Sequence, residues 1–92
     1  MKGWVKVHRR LMDNTFLRHD PNAMLVFLKL LLIVNRQGQW SGGRRQLATL
    51  LDVNERTLYD ILLRLEAQQM IKIEPNHRYS VISICKWTKY QA

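Results

Sequence analysis

Apolar and polar positions follow different periods along this chain, and each period predicts an element. Residues 4–13 place Trp4, Val7, Leu11 and Met12 among Lys6, Arg9, Arg10 and Asp13. That spacing suits a short amphipathic helix, and an extended start over 4–7 is equally allowed. Asp13-Asn14-Thr15 is a natural stop. Asp20 then offers an oxygen for a helix cap, and Pro21 follows at the first helical position, where its missing N–H does no harm. This helix is expected to run to about Asn35, with Gly38 ending the region. Gln39-Trp40-Ser41 suits a short strand and Gly42-Gly43 a tight connection. A second helix is expected over 44–51, a turn at Asp52-Val53-Asn54, and a third helix capped by Asn54 and ending near Gln69. Residues 70–74 and 79–85 are rich in β-branched side chains and flank Pro75-Asn76-His77-Arg78, which predicts a β-hairpin with a four-residue turn.

Faces follow from a rotation of ~100° per helical residue. In the helix that starts at Pro21, Met24, Phe27, Leu31 and Val34 share one face, with Lys29 and Arg36 opposite. Leu25, Leu32 and Ile33 flank Lys29 on the side that should meet water. A helix apolar nearly all round is covered on more than one side. One face is expected on the following helices, and the other on the N-terminal segment or a second subunit. For a subunit contact the candidate residues are Trp4, Leu25, Leu28, Leu32 and Ile33.

Leu47, Ala48 and Leu51 line the inner face of the second helix, and Leu58, Ile61, Leu62 and Leu65 that of the third. Ala48 is small where the two should cross, and Val53 is an apolar plug in the turn. Helix, three-residue turn, helix and hairpin is the layout of a winged helix-turn-helix. The expected class is therefore α+β, mainly α, with an N-terminal helical extension and a C-terminal β-hairpin wing. A single domain spans 1–92: extension 1–19, first core helix 20–36, helix-turn-helix 44–69, wing 70–85 and tail 86–92.

At 92 residues the chain buries only roughly two-thirds of its unfolded surface, so each apolar segment matters. Its 47% hydrophobic content excludes a disordered tail. The longest apolar run, 23–34, is interrupted by Lys29 and falls short of the ~20 residues of a spanning helix, and it lies too far in for a signal peptide. A cytoplasmic protein without a membrane partner is expected. Cys85 is the single cysteine, in a strand-like run that suggests a small buried hydrophobe. His8, His19 and His77 have no ligand-like spacing to one another or to Cys85, so no metal is implied. Paired carboxylates and an activated nucleophile are absent, and Gly42-Gly43-Arg44 lacks the Gly-Lys-Ser/Thr ending of a P-loop. Neither catalysis nor a cofactor is expected.

Charge changes the picture more. Fifteen Lys and Arg against seven Asp and Glu give +8, which favours a polyanionic partner: DNA, RNA or an acidic protein surface. In a winged helix the third helix enters the major groove by its N-terminal residues. Arg56 is the candidate for a bidentate guanine contact, and Asn54, Thr57 and Tyr59 for bases or phosphates. Arg44 and Arg45 stand at a helix start, where backbone N–H groups favour phosphate. His77 and Arg78 occupy the wing tip. Asp60, Glu55 and Leu63 dilute this surface, although Arg56 or Arg64, each four residues from Asp60, can neutralise it. A protein-contacting face is the alternative. Lys2, Lys6, Arg9 and Arg10 form a further basic cluster, either solvated or an extension of a nucleic-acid track. Trp4, Trp40 and Trp87 are expected in the core, with base stacking the alternative.

Gly3-Trp4-Val5-Lys6-Val7-His8-Arg9-Arg10 opens the chain, and Tyr79-Ser80-Val81-Ile82-Ser83-Ile84 with Trp87-Thr88-Lys89-Tyr90-Gln91 closes it. Arg45-Gln46-Leu47-Ala48, Thr57-Leu58 and Leu65-Glu66 stand between. Together these segments resemble the N-terminal winged-helix domain of phage and bacterial DnaD-like replication initiators, also called replisome organisers, over nearly the whole chain. The central part is shared by many transcription regulators, and the terminal segments are more particular. The resemblance implies a domain that self-associates and helps assemble an initiation complex at an origin. In such proteins a separate C-terminal region often contacts DNA or the helicase loader. This chain ends where that region would begin, so it is expected to be either a fragment or a short phage protein using the fold alone. The expected function is duplex-DNA binding in replication initiation as a homo-oligomer, with other replication proteins as further partners. An oligomerisation or protein-interaction module and a transcriptional regulator are the alternatives.

Overall fold

The computed structural model of the chain describes residues 3–75 and 78–91. A 3-10 turn over Arg9–Asp13 leads into α1 (Thr15–His19), α2 (Pro21–Ile33), β1 (Gln39–Gly42), α3 (Arg44–Leu51), α4 (Glu55–Ala67), β2 (Ile71–Pro75), β3 (Ser80–Ile84) and α5 (Trp87–Gln91). The result is a mainly helical α+β domain: five α-helices and one three-stranded antiparallel sheet among the described residues.

Local chemistry accounts for the boundaries. Asp20 Oδ1 accepts from the Ala23 N–H at 3.1 Å, so α2 starts where the Asp-Pro pair predicted. Asn54 Oδ1 accepts from the N–H groups of Arg56 and Thr57 at the start of α4. Both α3 and α4 end in the same way. Asp52 (φ 55°) and Gln69 (φ 60°) are left-handed, and the chain beyond each turns back onto its helix. Val53 N–H donates to Ala48 and Asp52 N–H to Thr49; Met70 N–H donates to Leu65 and Gln69 N–H to Glu66. This paired closure satisfies carbonyls that a helix end otherwise leaves open, and it favours glycine at the left-handed position. Gln69 is exposed there. Gln69→Gly is therefore expected to stabilise the domain by about 0.5–1 kcal/mol. An unchanged or lower urea midpoint would show that the Gln69 side chain holds the turn by some other contact.

The sheet order is β1-β3-β2. Trp40 pairs with Ile82, Ile82 with Ile73, and Ile84 with Ile71, so the aromatic and aliphatic side chains share one face. That face meets the helices: Ile71, Ile82 and Ile84 are buried, with Trp40 and Ile73 packed against the core. Pro75 lies at the end of the edge strand β2, where its missing N–H costs least. Glu66 Oε2 accepts from the Ile73 N–H at 2.8 Å and ties α4 to that edge.

Leu47, Ala48 and Leu51 of α3 and Leu58, Ile61, Leu62 and Leu65 of α4 are buried, as their periodicity predicts. In α2 the buried set is Ala23, Val26, Phe27, Leu30 and Leu31. Phe27 and Leu31 share a small cavity with Leu11, His8 and Tyr90, so the N-terminal segment and α5 lie over that side of α2, while Leu25 and Leu32 on its outer side stay exposed. Lys29 is not on an open polar face. It is half-buried, and its Nζ donates to the Leu51 carbonyl at 2.6 Å, a cation at the C-terminal end of α3.

Several expectations need correcting. Asn14-Thr15 starts a helix rather than stopping one: Asn14 Oδ1 caps α1 through the Leu17 N–H. The tail holds a helix, α5, which docks on the opening segment. Lys6 N–H donates to Gln91 Oε1, Gln91 Nε2 donates to the Lys6 carbonyl, and His8 Nε2 meets the Tyr90 carbonyl at 2.7 Å. Trp87 is core and Trp40 is partly buried, but Trp4 is 72% exposed because Val5, not Trp4, packs against the core. Cys85 is half-buried in the turn after β3 rather than enclosed within a strand. No helix among the described residues is long and apolar enough to cross a membrane.

Candidate nucleic-acid interface

Of the proposed contact residues, Arg44 and Arg45 open α3, and Asn54, Arg56, Thr57 and Tyr59 stand at the cap and in the first two turns of α4; all six are exposed. The Arg44 guanidinium lies over the Tyr59 ring, 4.3 Å from its centroid, linking the two helices through a cation–π interaction. Arg45 Nε lies 3.9 Å from Glu55 Oε2, a long contact between exposed side chains that leaves the guanidinium open to a second anion. Asn54 uses its carbonyl oxygen for the cap, so only its amide NH2 is left to meet a ligand.

Arg64 belongs elsewhere. Its Nη1 donates to Asp20 Oδ2 at 2.7 Å, so it ties α4 to the start of α2 instead of serving Asp60. The same carboxylate caps α2 with its other oxygen, so it is held as a fixed acceptor for the guanidinium. No ion pair to Asp60 forms among the described residues. Arg78 is exposed ahead of β3; His77 lies outside the described residues.

Beside this cluster the sheet and α4 diverge into a cleft of about 360 Å³. Trp40, Tyr59, Leu63, Ile73 and Pro75 supply apolar walls, with Arg44 and Glu66 among the polar lining. Leu63 forms part of this wall while remaining 43% exposed. Trp40 is not among the expected contact residues. Its position in β1 gives it an inward parity, but only the fold shows that, on the edge strand opposite Ile82, it lines this cleft.

The charge balance of this region is even: over 44–69, Arg44, Arg45, Arg56 and Arg64 face Asp52, Glu55, Asp60 and Glu66. Any affinity for a polyanion here rests on where the arginines stand, not on their excess. Among the described residues no group of three His, Cys, Asp or Glu side chains is placed to hold a metal ion. The chain matches no protein-family model, no curated protein and no solved structure.

Proposed function

We propose that the chain is a winged helix-turn-helix domain that binds duplex DNA, with α3–α4 as the motif, α4 as its reading helix and β2–β3 as its wing. The element order and the β1-β3-β2 sheet support this reading. One observation carries it: Arg44 and Arg45 open α3 and Arg56 stands in the first turn of α4. The helix dipole disfavours cations at that end, and α3 has no acidic residue there to compensate. Positive charge placed against local stability, exposed and clustered, suits recognition of a phosphate backbone. Arg56 reads a base edge, Arg44 and Arg45 hold phosphates, and Arg78 reaches the backbone from the wing. The resemblance of its terminal segments to replication initiators supports assigning this activity to phage or bacterial replication initiation in the cytoplasm.

Fluorescence anisotropy of labelled duplex DNA across about 50–200 mM salt tests the proposal. Binding should weaken steeply with salt, and Arg56→Ala should relax sequence preference more than Arg44→Ala does. Absence of binding at the lowest salt would refute it.

A second reading has its own support. Leu25 and Leu32 are 50% and 56% exposed on the outer side of α2, with Leu28 and Ile33 half-buried beside them. Neighbouring aliphatic side chains left open in this way suit self-association. A homo-oligomer formed through α2 is compatible with DNA binding by α4, because the inner face of α2 already packs on α4.

A further inference from the structure

The positive charge of the chain lies mostly outside α3 and α4. Residues 3–12 and 85–91 carry Lys6, Arg9, Arg10, Lys86 and Lys89, and no aspartate or glutamate. The fold brings these two segments, distant in sequence, side by side. Lys6 and Gln91 exchange two hydrogen bonds through the Gln91 amide, and the His8 and Tyr90 rings lie 5.0 Å apart. Arg36 joins them from beyond α2: its carbonyl accepts from the Trp87 indole N–H at 2.7 Å, and its side chain is exposed. Beside this cluster runs an open groove of about 890 Å³, lined by Trp4, Val5, Ile33, Arg36, Trp87 and Gln91 among others. Trp4 presents most of its indole to solvent at the rim.

We propose that this terminal face is a second nucleic-acid site, which binds a single strand by stacking a base on Trp4 while Arg9, Arg10, Arg36, Lys86 and Lys89 follow the phosphates. A free aromatic face selects against duplex, because paired bases are already stacked and expose no π-surface. The face also lacks a long helix to enter a major groove: α5 has five residues, and the opening segment holds no helix beyond the 3-10 turn at Arg9–Asp13. The concave groove beside Trp4 suits a splayed base better than a flat lipid surface. The site shares no residue with the duplex surface proposed above, and α2 stands between the two, with Phe27 and Leu31 facing the terminal segments and its opposite side on α4.

The test uses the whole chain, a labelled oligo(dT) of about 16 nucleotides and a duplex of similar length. Oligo(dT) is expected to bind at low salt and to quench tryptophan fluorescence. Trp4→Ala should weaken oligo(dT) binding about tenfold and leave the duplex affinity unchanged. Trp4→Phe should keep the affinity and lose most of the quench. Lys86→Gln with Lys89→Gln should reduce the single-strand salt slope by roughly 0.7 for each phosphate no longer neutralised. The proposal is overturned if oligo(dT) does not bind, or if its affinity is unchanged in the Trp4→Ala and lysine variants. It is equally overturned if single-strand binding is lost on changing Arg44 and Arg56 instead. Capture of phosphatidylserine vesicles through Trp4, without oligo(dT) binding, would reassign the face to membranes. Failure of the duplex arm alone leaves this site standing, because the two arms respond to different residues.

Discussion

Gly38→Ala is expected to lower the unfolding free energy by about 2–4 kcal/mol, a large share of what so small a domain possesses. Gly38 is buried in the turn between α2 and β1 with φ 75°, a conformation that an L side chain adopts only with strain. The surrounding hydrogen bonds hold it there. Asn35 Oδ1 accepts from the Gln37 and Gln39 N–H groups, Gly38 N–H donates to the Asn35 carbonyl, and Ile84 N–H donates to the Gly38 carbonyl at 2.8 Å. The Trp87 ring lies directly against the position a Cβ would take, so the added methyl runs into the first atoms of a buried indole rather than a yielding chain end. Relief requires moving Trp87, which would break its bond to the Arg36 carbonyl and loosen α5 from the core. The urea midpoint should fall sharply with an unchanged slope. A shift of under about 0.5 kcal/mol would mean that the turn can rearrange without disturbing Trp87.

Reversing the two central arginines, Arg44→Glu with Arg56→Glu, is expected to cut duplex affinity about 100-fold at moderate salt and to lower the salt slope by about 1, for the phosphate that Arg44 holds. The same pair should leave stability unchanged or raise it slightly. Each glutamate replaces a cation in the first turn of a helix, where negative charge gains roughly 0.3–1 kcal/mol. That gain offsets the removal of the exposed cation–π interaction between Arg44 and Tyr59. Opposite signs for stability and binding separate a contact residue from a structural one. Measuring both the thermal midpoint and the anisotropy titration on one preparation decides the matter. Unchanged duplex affinity would remove α3 and α4 from the proposed interface. A parallel loss of stability would show that the arginines support the fold.

These two changes also mark the boundary between what is local in this protein and what is not. The arginines at the helix starts could be located from sequence, because caps and periodicity are short-range. Asp20 with Pro21 and Asn54 with its following turn place two helix starts within a few residues. The short run at 39–41 and the β-branched runs 70–74 and 79–85 place the three strands within a residue or so of β1, β2 and β3. Helical periodicity separates Leu58, Ile61, Leu62 and Leu65 from the exposed Arg56, Tyr59, Asp60 and Leu63. The partner of Arg64 was not legible in this way. Four-residue spacing pointed to Asp60, yet the guanidinium goes to Asp20, 44 positions away, because that carboxylate is already held as a cap.

By itself, then, the sequence missed α1 and α5 but determined the order of α2, β1, α3, α4 and the two wing strands, the inner faces of α3 and α4, and the cations at two helix starts. Each depends on neighbours within about one or two turns of chain. Only the tertiary structure decided that the opening segment and α5 lie side by side, 85 positions apart along the chain at Lys6 and Gln91. It also decided that Trp87 is core while Trp4 stands in solvent, and that Lys29 serves the end of α3 rather than an open polar face. Hydrophobicity scores tryptophans alike, and a spacing rule sees only its own helix. Which indole is enclosed, and which carbonyl a lysine reaches, depends on distant segments meeting, and no periodicity along the chain records that meeting.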